Sequence, residues 1–112
     1  MSMTVKDVLI GVKELISTPE RCTKVVNARD ENGVTRSPFD PRACCWCLLG
    51  AIRKVTNDGD ASEVREVLVK RIRRVSVEPY LWEEAIWMFN DHHNSTHENV
   101  LKLLDKAIAS CP

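Results

Sequence analysis

The stretch Asp40-Pro41-Arg42-Ala43-Cys44-Cys45-Trp46-Cys47-Leu48-Leu49-Gly50-Ala51-Ile52 decides how this chain is organised. Asp40 followed by Pro41 is a strong helix-start pattern, a capping side chain with proline at the first helical position, where a missing N–H is no loss. From Ala43 to Ile52 the residues are apolar almost all round, interrupted only by Gly50. A helix apolar on every side is enclosed by its neighbours. The expectation is a central helix over 41–56, closed by the turn residues Asn57-Asp58-Gly59.

Upstream, Thr4 caps a first helix, with Asp7 adding negative charge at its amino end. Val5, Val8, Leu9, Val12, Leu15 and Ile16 recur at helical spacing, and Thr18-Pro19 ends the run. Residues 22–40 differ in character: Thr23 to Ala28 is partly β-branched and Asp30-Glu31-Asn32-Gly33 is turn chemistry, so a small hairpin or ordered loop is expected there. Downstream, Asp60 and Glu63 read as a capping box for a third helix, whose stripe is Val64, Val67, Leu68, Ile72 and Val75. Pro79 opens a fourth, with Leu81, Trp82, Ala85, Ile86 and Phe89 turned inward and Trp87 off that stripe. Ser95 and Glu98 suggest the cap of a fifth, which carries Val100, Leu101, Leu104, Ala107, Ile108 and Cys111 on one face. The fold class is therefore all-α: a compact bundle of about five helices around a central apolar helix, with a small β-hairpin or ordered loop near 22–40.

At 112 residues and 12.7 kDa the chain reads as a single helical domain, 1–112. A chain of this size buries about 65% of its unfolded surface, enough for a core without metal or disulfide. Sixteen Lys+Arg balance 16 Asp+Glu, which excludes a globally cationic nucleic-acid binder. The balance is uneven along the chain. Arg53 to Val75 holds seven basic and four acidic residues, whereas 76–112 holds two basic and six acidic. Charges at Lys6, Asp7, Lys13 and Glu14 interrupt any secretory apolar region, and the uncharged run Ala43–Ile52 is half the length of a membrane span. A cytoplasmic protein with five reduced cysteines and no membrane contact is expected.

Several constellations invite chemistry. Cys44 and Cys47 form C-x-x-C, and with His93 and His97 they imitate the ligand order of a two-Cys, two-His zinc site. Cysteines inside an apolar helix behave instead as small buried hydrophobes, and the distance in sequence to the histidines is far from that of a finger. The polar connection Asn90-Asp91-His92-His93-Asn94-Ser95-Thr96-His97 reads first as local backbone bonding and capping, and only second as a metal or proton-transfer loop. Lys70, Arg71, Arg73 and Arg74 form the basic cluster of helix 62–75, a solvated face or a nucleic-acid contact. Trp87, beside Tyr80, Glu83 and Glu84, is either an interface anchor or covered by the 22–40 insertion. No nucleophile elbow, phosphate loop or dinucleotide fingerprint appears, so a non-enzymatic role is expected, with no cofactor.

Trp46-Cys47-Leu48-Leu49-Gly50-Ala51, Phe89-Asn90-Asp91, and Thr96 leading into Val100-Leu101-Lys102-Leu103-Leu104-Asp105-Lys106-Ala107-Ile108 resemble an uncharacterised family of small helical proteins of bacterial and phage genomes. Ala28-Arg29-Asp30 with Gly33 resembles the turn that precedes the cysteine helix in that family, and the likeness spans roughly 22–110. The family pattern includes Cys47, Asn90, Asp91 and Thr96 but not Cys44, His93 or His97. The resemblance implies Gly50 as a close-packing point, Asn90-Asp91 as a structural or binding corner, and a phage or mobile-element accessory as the setting. The expected function is a small binding module for another protein or a second copy of itself, with Trp87, Asn90, Asp91, Lys70, Arg73 and Arg74 as candidate contacts. The alternative is a metal- or nucleic-acid-binding regulator that uses the His92–His97 loop or the basic third helix.

Overall fold

The computed structural model describes residues 3–73, 77–92 and 94–112. Arg74, Val75 and His93 of the sequence reading lie outside these residues. Among the described residues there are five α-helices and one two-stranded antiparallel ladder: α1 Val5–Leu15, β1 Ala28–Arg29, β2 Cys45–Trp46, α2 Leu48–Thr56, α3 Ser62–Ile72, α4 Trp82–Asp91 and α5 His97–Ala109. Short 3-10 turns at Pro19–Arg21 and Pro79–Leu81 follow α1 and precede α4. α2 packs on α1 and α4, α5 on α1 and α3, and α3 on α4.

Local chemistry accounts for the helix ends. Thr4 Oγ1 accepts the Asp7 N–H at 3.0 Å while Asp7 returns a bond to the Thr4 N–H, a reciprocal cap that satisfies two otherwise orphaned donors. α5 begins the same way, but with Thr96 and Asn99 rather than Ser95 and Glu98. The Ser95 carbonyl is taken by Lys24 instead. At α3 the cap residue is Ala61, and Asp60 binds the Ser62 N–H and hydroxyl in a local turn rather than closing a capping box with Glu63. α2 ends at Asn57, whose left-handed conformation (φ 52°) lets its N–H bond back to Arg53 and Lys54 carbonyls. The core is one cluster that includes Leu9, Val12, Ile16, Leu48, Ile52, Leu68, Ile86 and Leu104.

The central helix is shorter than its apolar run. Asp40-Pro41 forms a turn, with Asp40 Oδ1 accepting the Arg42 N–H at 2.8 Å, and Cys45–Trp46 is strand. The reason is the loop before it. Arg29 O accepts the Cys44 N–H at 2.9 Å, Asn27 O accepts the Cys47 N–H at 3.2 Å, and Trp46 O receives the Thr23 N–H at 3.0 Å. Those partners take backbone groups that a helix would have bonded internally. The 22–40 segment does contain the expected turn, with Gly33 at φ 78° and Arg29 bridging Thr35, but its ladder pairs Ala28 with Trp46 and Arg29 with Cys45, outside the segment. Asp30, 7% exposed, is the hub of that turn: Oδ1 accepts the Asn32 and Val34 N–H groups, and Oδ2 pairs with Arg36 Nε at 2.9 Å.

Candidate functional site

Asn90 and Asp91 lie where three separate segments meet. Asn90, 1% exposed near the end of α4, accepts the Leu48 N–H through Oδ1 at 3.2 Å and donates Nδ2 to Thr23 O at 3.1 Å and to Asp91 Oδ1 at 2.9 Å. Leu48 opens α2, so its N–H is one of the groups that a helix start leaves without an internal partner. Cys47 supplies the rest of that cap: its Sγ accepts the Gly50 N–H at 3.3 Å. Burial pushes the Cys47 thiol up, and the Gly50 N–H partly opposes this. Gly50 is required here, because a Cβ would overlap the Asn27 carbonyl that lies against α2.

On the outer side of the corner, Asp91 Oδ1 accepts the Val25 N–H at 2.9 Å, and Lys24 Nζ donates to His92 O at 2.8 Å and Ser95 O at 2.7 Å. The His92 carbonyl is at the carboxy-terminal cap of α4, where a positive charge is favoured, and the Ser95 carbonyl belongs to the connection to α5. Val25 is held at φ 77°, a conformation rare for a β-branched residue, and is 76% exposed. Sequence reading missed Thr23, Lys24, Val25 and Asn27, because no local pattern marks a loop whose partners lie tens of residues away.

Cys22, Asn90 and His97 line one cavity of about 180 Å³ with Lys24 and Thr96. The trio has the composition of a nucleophilic site, yet each member is otherwise committed. Both ends of the Asn90 amide are bonded, His97 Nε2 faces Ile16 O at 2.7 Å, and burial pushes the Cys22 thiol up, away from the reactive thiolate. The zinc arrangement fares no better in position: Cys44 is exposed beside β2, while Cys47 is buried as the α2 cap. Among the described residues no three His, Cys, Asp or Glu side chains are grouped to hold a metal ion. A cleft of about 300 Å³ between α2 and α4 is flanked by its own ion pairs, Arg53 with Asp58 and Arg65 with Glu83.

The remaining candidates lie on the α3–α4 side. Lys70, Arg71 and Arg73 are exposed, with Lys70 paired to Glu66 at 3.0 Å. Trp87 is 46% and Met88 43% exposed on α4, whereas Ala85 and Ile86 just before them are buried. Tyr80, 81% exposed, lies in the 3-10 turn that precedes α4. The 22–40 insertion therefore leaves Trp87 open to solvent. No helix among the described residues is long and apolar enough to cross a membrane. No curated protein and no solved structure matches the chain. The model of a family of unknown function, DUF6197, matches residues 1–110, and the chain belongs to that family.

Proposed function

We propose that this protein is a small, non-enzymatic interaction module that docks a protein on the outer face of α4. The observation that carries this is the pair Trp87 and Met88, two large apolar side chains at consecutive positions left nearly half exposed on a helix whose other face is packed in the core. Tryptophan is enriched among the few residues that carry most of an interface's binding free energy, and methionine adapts its shape to a partner. The corner at Asn90 serves as the scaffold: it fixes the end of α4 to the start of α2, so the face is presented rigidly. Five free thiols suit a reducing cytoplasm.

The test is a photo-crosslinking amino acid placed at position 80 of the full chain in growing host cells. A discrete protein adduct that disappears with Trp87→Ala supports the module. The absence of any protein adduct, or an adduct indifferent to Trp87, overturns it. A salt-sensitive shift in nucleic-acid mobility that is lost on replacing Lys70 and Arg73 is the outcome that would put nucleic-acid binding in its place.

A further inference from the structure

We infer that the protein docked on this face is a second copy of the same chain, joined through a two-fold interface in which α3 of one copy faces α4 of the other. The inference rests on the α4 reading above and adds the partner. Beside Trp87 runs a groove of about 320 Å³, floored by Leu81, Ala85 and Met88, with Arg73 on one wall and Glu78 and Glu84 also lining it. Among the described residues no ion pair engages Arg73, Glu78 or Glu84. With Lys70 paired to Glu66 and Glu83 to Arg65, the charges left over are of opposite sign on the two neighbouring elements: Arg71 and Arg73 at the end of α3, and Glu78 and Glu84 around the start of α4, all four exposed.

A surface that carries a knob, a groove and both signs of charge has what an isologous two-fold interface requires of one patch. Each contact then occurs twice, with residue i on j and j on i. Trp87 of each copy enters the groove of the other, and Arg73 of each meets Glu84 of the other. A nucleic acid or an anionic membrane would be drawn to Arg71 and Arg73 but repelled by Glu78 and Glu84 beside them, whereas a polypeptide surface that carries both signs satisfies both. Among polypeptides, a second copy carries the same knob, groove and unpaired charges of both signs.

The experiment measures the mass of the full chain by light scattering and sedimentation over a range of protein concentrations. A species of twice the 12.7 kDa chain mass is expected, weakened about tenfold or more by Trp87→Ala. Glu84→Arg sets arginine against Arg73 of the other copy and Arg73→Glu sets glutamate against its Glu84, so each alone should be monomeric. Mixing the two variants should restore pairing, a rescue that a folding defect cannot imitate. A chain that stays monomeric at every concentration overturns the inference, as does a dimer indifferent to Trp87 and to both charge reversals. If the crosslinked adduct at position 80 depends on Trp87 but contains a different protein, the second copy is excluded while the interaction module stands. If no protein adduct forms, both fall.

Discussion

Val25 sits at φ 77° and is 76% exposed, so its strain is not offset by its own burial. What holds it is the Asp91 carboxylate on its N–H and the lysine beside it, whose ammonium bridges two carbonyls of the α4–α5 connection. Replacing it with glycine keeps the N–H and removes the Cβ. Val25→Gly should therefore stabilise the protein by about 1 kcal/mol, read as a higher urea midpoint at unchanged slope. Gly50 poses the opposite case. A methyl group there is driven into the Asn27 backbone carbonyl, which cannot rotate away as a side chain would. Gly50→Ala should cost about 3 kcal/mol in the same assay, far more than an ordinary glycine-to-alanine exchange in a helix, which normally stabilises.

At the scale of elements, the 28–46 ladder depends on a carboxylate. Asp30 is held below the usual value of 3.8, first by the Val34 N–H and then by Arg36 and Asn32, while its burial works the other way. A carboxyl whose folded value is depressed adds stability when ionised. That contribution is complete above about pH 4 and is lost as pH falls through the lower folded value. Asp40, held down to about 2 chiefly by Arg42, acts in the same direction on the adjoining turn. Thermal melts between about pH 5 and pH 3 should therefore show a falling midpoint, and Asp30→Asn should flatten part of that fall while lowering stability near neutrality. A slope identical to that of the parent would mean that the carboxylate does not hold the turn. The same ladder explains where helix prediction failed. Cys44-Cys45-Trp46 suits a helix or a strand equally by composition, and the outcome was set by Arg29 and Asn27 offering backbone carbonyls and Thr23 an N–H from another segment.

For the molecule as a whole, its three tryptophans report on different regions. Trp46 is 8% exposed with Nε1 donating to Pro38 O, Trp82 is half-buried with Nε1 donating to Val77 O, and Trp87 stands out in solvent. In dilute protein, acrylamide should quench mainly Trp87, and Trp87→Phe should remove most of the accessible emission. Quenching of the parent should then decline as concentration rises and pairs form, because the indole enters the partner's groove. Constant quenching across the whole range would contradict pairing through this face.

The sequence by itself determined the helical class, the five helices and most of their buried faces, because an amphipathic stripe is a local property: residues three and four apart share a face whatever they pack against. The resemblance also pointed to Asn90 and Gly50, without saying what holds them. Only the tertiary structure decided what the Asn90 corner is. Asn90 reaches the first N–H of a helix 42 positions earlier, Cys47 caps that helix, and Trp87 stays in water because the 22–40 segment folds against β2 instead. These are long-range choices between equally good local partners, and they are made by which backbone groups the packed chain brings within hydrogen-bonding reach.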